Sequence, residues 1–283
     1  ISSGLSQINV FIDMFFASSF QGAASGLAYG NFLIQAPLGI LSNSLILPLL
    51  PQFSKLRSKK DLSGLQKNLV SGIEYCFLTS IFLTGFFITF NNQIVQFVFE
   101  RGAFDYSATL KVKNILIAYA IGIPFYLYRD LLVRTYYSIE KTKFPFQLSL
   151  AGIILNAFFD WFLIGAPIKN FENLSPYNFG VVGIILSSGI VNIIACILLA
   201  LNLRNEDIHL PNLDLLKKVI LMSLATFIDS RICFTILKTT NKLNSNSEEF
   251  LLLIFGSLTF FVIYFLLTKY LKVNKFKVYK KKI

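Results

Sequence analysis

Eight apolar blocks separated by short polar stretches run through this chain, and that pattern limits its fold more than any motif does. A helix needs about 20 apolar residues to cross a hydrocarbon core about 30 Å thick. The blocks cover residues 2–20, 23–48, 70–90, 113–137, 146–168, 179–203, 215–237 and 250–271. The expected fold class is an all-α polytopic membrane protein with eight transmembrane helices. Composition agrees, since 54% of the 283 residues are hydrophobic and only 14% are charged. Soluble domains carry about 25% charged residues.

The net charge of +11 raises the question of nucleic acid. The placement of the charges answers it. Lysines and arginines gather on the cytoplasmic side of membrane proteins. The loops after the second, fourth and sixth blocks hold Lys55, Arg57, Lys59, Lys60, Lys141, Lys143 and Arg204, and the stretch from Lys269 to Lys282 is rich in lysine. The opposite loops hold few basic residues, among them Arg101, Lys111 and Lys169. Both ends are therefore expected in the cytoplasm. The basic tail, residues 272–283, is expected to lie on anionic membrane lipid, where each such residue adds about 1 kcal/mol of attraction. No aromatic interleaving or binding module suggests nucleic acid.

The chain begins with Ile1, and its first block lacks the flanks of a signal peptide. It is expected to be a piece of a longer protein. Cys76, Cys196 and Cys233 lie inside apolar blocks without ligand spacing and are expected to be small buried residues. The lone His209 falls in a loop, and no nucleophile motif, phosphate loop or metal-ligand cluster suggests an enzyme or a bound cofactor.

Two features concern packing. Gly22, Gly26 and Gly30 repeat every four residues and predict close approach of the first two helices. Pro37 and Pro124 fall mid-block and predict kinks, with Pro48 and Pro51 ending the second helix. Two flanking segments, 61–73 and 92–104, have apolar residues at helical spacing and are expected to lie along the membrane surface.

The intramembrane polar residues carry the functional signal. Asp13, Asn156, Asp160, Arg129, Asp130, Arg134, Asp229 and Arg231 all fall within blocks. Such groups are costly in lipid and line pathways or pair with one another. Asn156 and Asp160 are four apart and share a helix face. Together with Asp13, the Ser188 hydroxyl and the Ile184 carbonyl, they make a plausible oxygen shell for a hard cation such as Na⁺. Two alternatives stand beside this: direct hydrogen bonding between helices with one carboxyl protonated, and proton coupling. Asn31, Gln35, Pro37, Arg129, Asp130 and Arg134 are candidates for cavity or gating roles.

Four stretches carry a family resemblance. They are Ile8–Asp13 with Ala17 and Ser18; Tyr29–Gly39 with Leu47–Pro51; Phe99–Phe104; and Arg134–Ser138 leading to Lys143–Pro145. In this order they resemble the C-terminal half of the MurJ/MviN family of lipid II flippases, within the multidrug, oligosaccharidyl-lipid and polysaccharide exporter superfamily. The resemblance implies a fourteen-helix fold, with this chain aligned to the last eight helices and an N-terminal lobe missing. It implies flipping of the undecaprenyl-linked peptidoglycan precursor lipid II across the bacterial inner membrane by alternating access. Residues 1–203 would form a six-helix lobe, and residues 204–271 two further helices with a candidate groove for the lipid tail. Asp13, Asn156, Asp160, Ile184 and Ser188 align with a sodium-binding set in a relative, Ser188 standing where Thr is expected. Phe32 and Gln35 depart from relatives that carry Arg and Glu there, and Lys141 from relatives that carry an acid. Other readings are a different exporter of the superfamily and a non-transporting membrane scaffold.

Overall fold

The computed structural model describes residues 2–102, 104–165, 177–210, 212–240 and 246–270. The basic tail and the end of the fifth predicted block lie outside them. The described residues form nine α-helices: α1 (Ser2–Ala17), α2 (Ala23–Leu41), α3 (Leu49–Ser58), α4 (Leu62–Phe99), α5 (Tyr106–Ser138), α6 (Lys143–Ile164), α7 (Val181–Asn202), α8 (Asn212–Thr240) and α9 (Asn246–Tyr270). Five stretches, Ala23–Ser58 among them, are long and apolar enough to span a bilayer. Helices α1 and α9 hold shorter apolar stretches, Ile8–Ala17 and Ile254–Lys269. Helix α8 runs for 29 residues but carries Lys217, Lys218, Asp229 and Arg231. Large apolar side chains cover the outer surface, with Phe11 74%, Ile154 73% and Phe32 65% exposed. A soluble monomer rarely exposes apolar patches on this scale.

Helix ends follow local chemistry. Asp61 caps α4 by accepting from the Gly64 amide at 2.8 Å, and Asp105 caps α5 by accepting from the Ala108 amide at 2.9 Å. These amides, helped by the Ser63 and Ser107 hydroxyls, hold both aspartates below the usual carboxylate range. Gly165, at φ 91°, ends α6 in the left-handed conformation that glycine tolerates. The helical run of the second block stops at Ile46, and Pro48 and Pro51 open the next helix. Pro48 is the cap of α3 and Pro51 sits in its first turn, where a missing N–H costs little. The prolines in α2 and α5 also leave those helices unbroken. The irregularities fall elsewhere. Ser42–Ile46 is a π-helical turn, and α4 bends at Phe90, whose φ of −107° and ψ of 19° are not helical.

The two predicted surface segments are instead the ends of α4. Residues 62–73 continue the crossing helix, and Leu65, Leu69 and Ile73 are fully buried against α3 and α5. Their apolar stripe is periodic in the same way for a protein neighbour as for a lipid surface, so spacing alone could not separate the two. The 92–99 segment lies beyond the bend, with Phe99 against Tyr29 of α2 and Phe104 (ring centroids 4.8 and 5.7 Å from Phe99).

Helix α5 sits at the centre, with Leu116, Leu127, Leu131, Leu132 and Tyr136 buried. Between lipid-embedded helices the driving force is close packing rather than release of water. The glycine repeat serves that purpose on a different pair from the one expected. A Cβ on Gly26 or Gly30 would lie 2.9 and 2.6 Å from Ile115 of α5, so the repeat seats α2 on α5, while Gly22 (φ 77°) turns the chain from α1. The Arg134–Pro145 stretch anchors α5 to α7. The Tyr136 hydroxyl donates to the Leu199 carbonyl at 2.9 Å and accepts from Asn202, and Lys141 pairs with Glu206 at 3.3 Å. Helices α8 and α9 pack on α4 through the rings of Phe82, Phe86, Phe90 and Phe260 and through an ion pair of Lys218 with Glu74. Cys76, Cys196 and Cys233 are buried free thiols.

Candidate functional site

A cavity of about 250 Å³, lined by both polar and apolar side chains, opens among α1, α2, α5, α6 and α7. Its wall includes Asn9 and Asp13 of α1, Asn31 and Gln35 of α2, Arg129 of α5, Ser149 and Asn156 of α6, and Ser188 and Asn192 of α7. A groove of polar side chains inside an apolar bundle is a path for something polar, because lipid contact would leave those groups without partners.

At one end α1, α6 and α7 bring a carboxylate cluster together. Asn156 donates through Nδ2 to Asp13 Oδ1 at 2.8 Å and faces Asp160 Oδ2 at 3.3 Å. Ser188 donates to Asn156 Oδ1 at 3.0 Å. The hydroxyl bonded to Asp160 belongs to Ser187, which sequence reasoning passed over. Ser187 also lies 2.8 Å from the Ile184 carbonyl. Asp160, Ser187, Asn156 and Ile184 are at most 1% exposed. The adjacent pair Ser187-Ser188 was the available signal. Neighbouring helix positions are 100° apart, so one hydroxyl reaches Asp160 while the other faces the cavity.

Donors are scarce in this cluster. A serine hydroxyl has one proton and an asparagine amide two, whereas each ionised carboxylate offers two acceptor oxygens. The carboxylate oxygens, the Asn156 oxygen and the Ile184 carbonyl therefore compete for few protons. One turn before Asp13, the Asn9 Oδ1 is buried without a hydrogen-bond partner among the described residues. An oxygen-rich, donor-poor pocket suits a hard cation, which takes oxygen ligands.

The remaining candidates separate. Asn31, Gln35 and Arg129 line the cavity. Asp130 and Arg134 form a different unit. Arg134 Nε donates to Asp130 Oδ1 at 3.0 Å, and Ser42 donates to Asp130 Oδ2 at 2.6 Å. Arg134 Nη2 also reaches Ser42 Oγ at 3.2 Å. This triangle ties the start of the π turn to α5. Pro37 faces neither group. It borders an apolar cleft of about 430 Å³ between α2, α4 and α9, beside Ile40, Leu78, Phe82, Phe261 and Tyr264. In α8, Asp229 is fully buried and accepts from Cys233 Sγ at 3.7 Å, while Arg231 is exposed, as their two-residue spacing requires.

Secondary transporters place their substrate sites near the bilayer midplane, inside multi-crossing helical bundles. The sequence matches the family model "Lipid II flippase MurJ" over residues 1–271, and the chain belongs to that family. It is 39% identical over 193 residues to a probable lipid II flippase MurJ of Synechocystis sp., covering 68% of this chain and 34% of the relative. A Rickettsia prowazekii protein of the same description is 33% identical over 156 residues, covering 55% and 31%. The chain thus spans about a third of the length of the curated relatives it matches. Among solved structures, a lipid II flippase MurJ in an inward closed conformation matches with a TM-score of 0.71 at 24% identity, covering 96% of this chain and 53% of that one. A superfamily transporter from Pyrococcus furiosus matches with a TM-score of 0.58 at 12% identity, covering 95% and 62%. These two likenesses establish the fold.

Proposed function

We propose that the chain forms the C-terminal lobe of a flippase that moves lipid II across the bacterial inner membrane by alternating access. The observation that carries this is the pairing of a polar cavity with an apolar cleft in one bundle of a flippase family. A lipid-linked sugar needs both, a wet path for its head and a greasy one for its tail. The cleft lies against α9 and is shared with α2 and α4, so a groove for the tail would take in α2 and α4 as well as residues 204–271. The 1–203 part supplies the polar cavity.

The test is a chimera. Residues 1–203 replace the matching stretch of the Synechocystis relative, and the purified chimera is placed in liposomes holding a fluorescent lipid II analogue. Accessibility of the label to a membrane-impermeant quencher is expected to rise well above that of empty vesicles. A chimera that folds and inserts yet moves no label overturns the reading. The alternative cargo of another exporter is tested by a fluorescent non-lipid drug in the same vesicles.

Sodium would be held by Asp13, Asn156, Asp160, Ser188 and the Ile184 carbonyl, with Ser187 orienting Asp160. Bound there, the ion would supply positive charge to neutralise the carboxylates. Asn156 bridges α1 and α6, and Ser187 and Ser188 join α7 to them, so loss of charge repulsion would favour the closed packing of the three helices.

Orientation follows from the lysine and arginine bias, with both ends in the cytoplasm and the Phe99–Phe104 loop outside. Ser58 and Ser107 are both exposed, at opposite helix ends, while the native cysteines are buried. Single cysteines introduced at these two positions give the check. In cells with a permeabilised outer membrane, an impermeant thiol reagent is expected to label Ser107→Cys and spare Ser58→Cys. The reverse pattern inverts the topology.

A further inference from the structure

Helix α8 carries a carboxyl where the packing around it offers almost no partner. The buried face of α8 runs through Met222, Ala225, Thr226, Asp229 and Cys233, three or four residues apart. That face meets α4 and α9. Thr226 of α8 and Phe260 of α9 fill the space left open by Gly85 of α4. One turn on, the Ser230 and Thr89 hydroxyls lie 2.9 Å apart across α8 and α4. The Tyr264 hydroxyl of α9 donates to the Leu78 carbonyl of α4 at 2.8 Å. Asp229 sits fully buried in this seam. Its Oδ1 accepts from the Cys233 thiol, a weak donor, at 3.7 Å. Its Oδ2 is buried with no hydrogen-bond partner among the described residues.

No ion pair compensates it among the described residues. On α8, Arg231 points outward, and Asp214, Lys217, Lys218 and Lys238 lie at least nine residues from Asp229. On α9 the Tyr264 hydroxyl belongs to the seam, while Glu248, Glu249, Lys269 and Tyr270 lie in the end turns. On α4, Lys67, Glu74, Tyr75 and Cys76 all precede Gly85 by at least nine residues. A charged carboxylate here would stand among apolar rings with one oxygen unmatched, a costly arrangement inside a bilayer. The neutral acid carries no such charge and fits the packed seam. Because burial is complete, the carboxyl reaches water only when α8 and α9 leave α4. Ionisation and separation of the helices are therefore one event.

We infer that Asp229 is a pH-sensitive latch: its neutral acid holds α8 and α9 on α4, and loss of its proton to water lets them part. Low pH favours the packed seam and high pH the parted one. The latch acts on the apolar cleft of about 430 Å³, since Leu78, Phe82 and Tyr264 belong both to the seam and to the cleft wall. It concerns how these helices are held and goes beyond the identity of the cargo.

The test uses the 283-residue chain in phosphatidylcholine nanodiscs. Spin labels are attached to Ile121→Cys of α5 and Leu258→Cys of α9, both positions being exposed and the native thiols buried. Pulsed electron paramagnetic resonance measures the distance between them from mildly acidic to alkaline pH. In the parent, a population with a longer distance is expected to rise about tenfold as pH increases. Asp229→Asn is expected to hold the short distance throughout. Asp229→Leu, which has a similar volume and no polar atom, is the second variant and is expected to do the same. Asp13→Asn combined with Asp160→Asn is expected to keep the response of the parent, which separates the latch from the other carboxylates. A parent distance indifferent to pH overturns the latch. So does a response that survives in both Asp229 variants or disappears in the Asp13/Asp160 variant. Variants of Asp229 that are parted at every pH would show a carboxyl needed for packing alone, and also overturn it. Because no transport is measured, failure of the latch leaves the flippase reading untouched, and failure of the chimera leaves the latch untouched.

Discussion

Exchanging potassium for sodium is expected to raise the melting temperature of the purified chain, and Asp160→Asn to remove the rise. A ligand that binds only the folded state stabilises it by about 2.7 kcal/mol at a hundredfold excess over its Kd. For a chain of this size that corresponds to a shift on the order of 5 °C. Asp160 is fully buried, and both of its oxygens lie among groups of α6 and α7. Asparagine has nearly the same shape but replaces one carboxylate oxygen with a donor, where Asn156 Nδ2 already donates. A sodium ion held there would lose a ligand and half of its compensating charge. Asp229→Asn is the control, since Asp229 lies in α8 beside Cys233 and has no part in the cluster. Its variant is expected to keep the full sodium response. A parent chain that melts at the same temperature in both salts rules out the sodium site and leaves the carboxylates as a hydrogen-bonded helix junction.

Gly183→Val is expected to lower the melting temperature and weaken the sodium response about tenfold. Gly183 stands one residue before Ile184, at the start of α7, and α7 is pinned there to the end of α6. The Phe179 and Gly180 amides donate to the Leu163 and Ile164 carbonyls at 3.0 Å each. A Cβ at Gly183 would sit 2.7 Å from the Leu163 carbonyl oxygen and 2.9 Å from its carbon. These are backbone atoms and cannot rotate aside, so the helix must move. Overpacking of this kind costs about 1–3 kcal/mol. The shift would carry Ile184, Ser187 and Ser188 away from Asp160 and Asn156, and ion affinity is the more sensitive readout. Gly189→Ala on the same helix separates packing from helix propensity. A Cβ there meets nothing within 4 Å, and the variant is expected to melt no lower than the parent. An unchanged sodium response in Gly183→Val would show that the cluster does not depend on the α6–α7 junction.

Much of the fold was legible in the sequence because a bilayer imposes a length and a composition on each crossing. Each of the eight apolar blocks coincides with a helix, five of the helical stretches being long and apolar enough to cross a bilayer, and several mid-block polar residues marked where the cavity would be. Asn156 and Asp160 could be placed on one face from their spacing alone, since a helix fixes that relation. Family motifs added which helices belong together. What local sequence could not supply was partner choice. The Leu65, Leu69 and Ile73 stripe has the same period whether it meets lipid or α5, and only the packed bundle decides. The glycine repeat announced a close contact, but with Ile115 of α5 and not with the first helix as its position suggested. Pro37 and Pro124 predicted kinks, while the departures from α-helical geometry fell at Ser42–Ile46 and Phe90, which carry no proline. Ser187 rather than Ser188 bonds Asp160, a distinction made by the rotation of α7 about its own axis. Hydropathy determines which segments enter the membrane, residue by residue; the rotation and pairing of those segments depend on atoms far apart in the chain, and so were settled only in the tertiary structure.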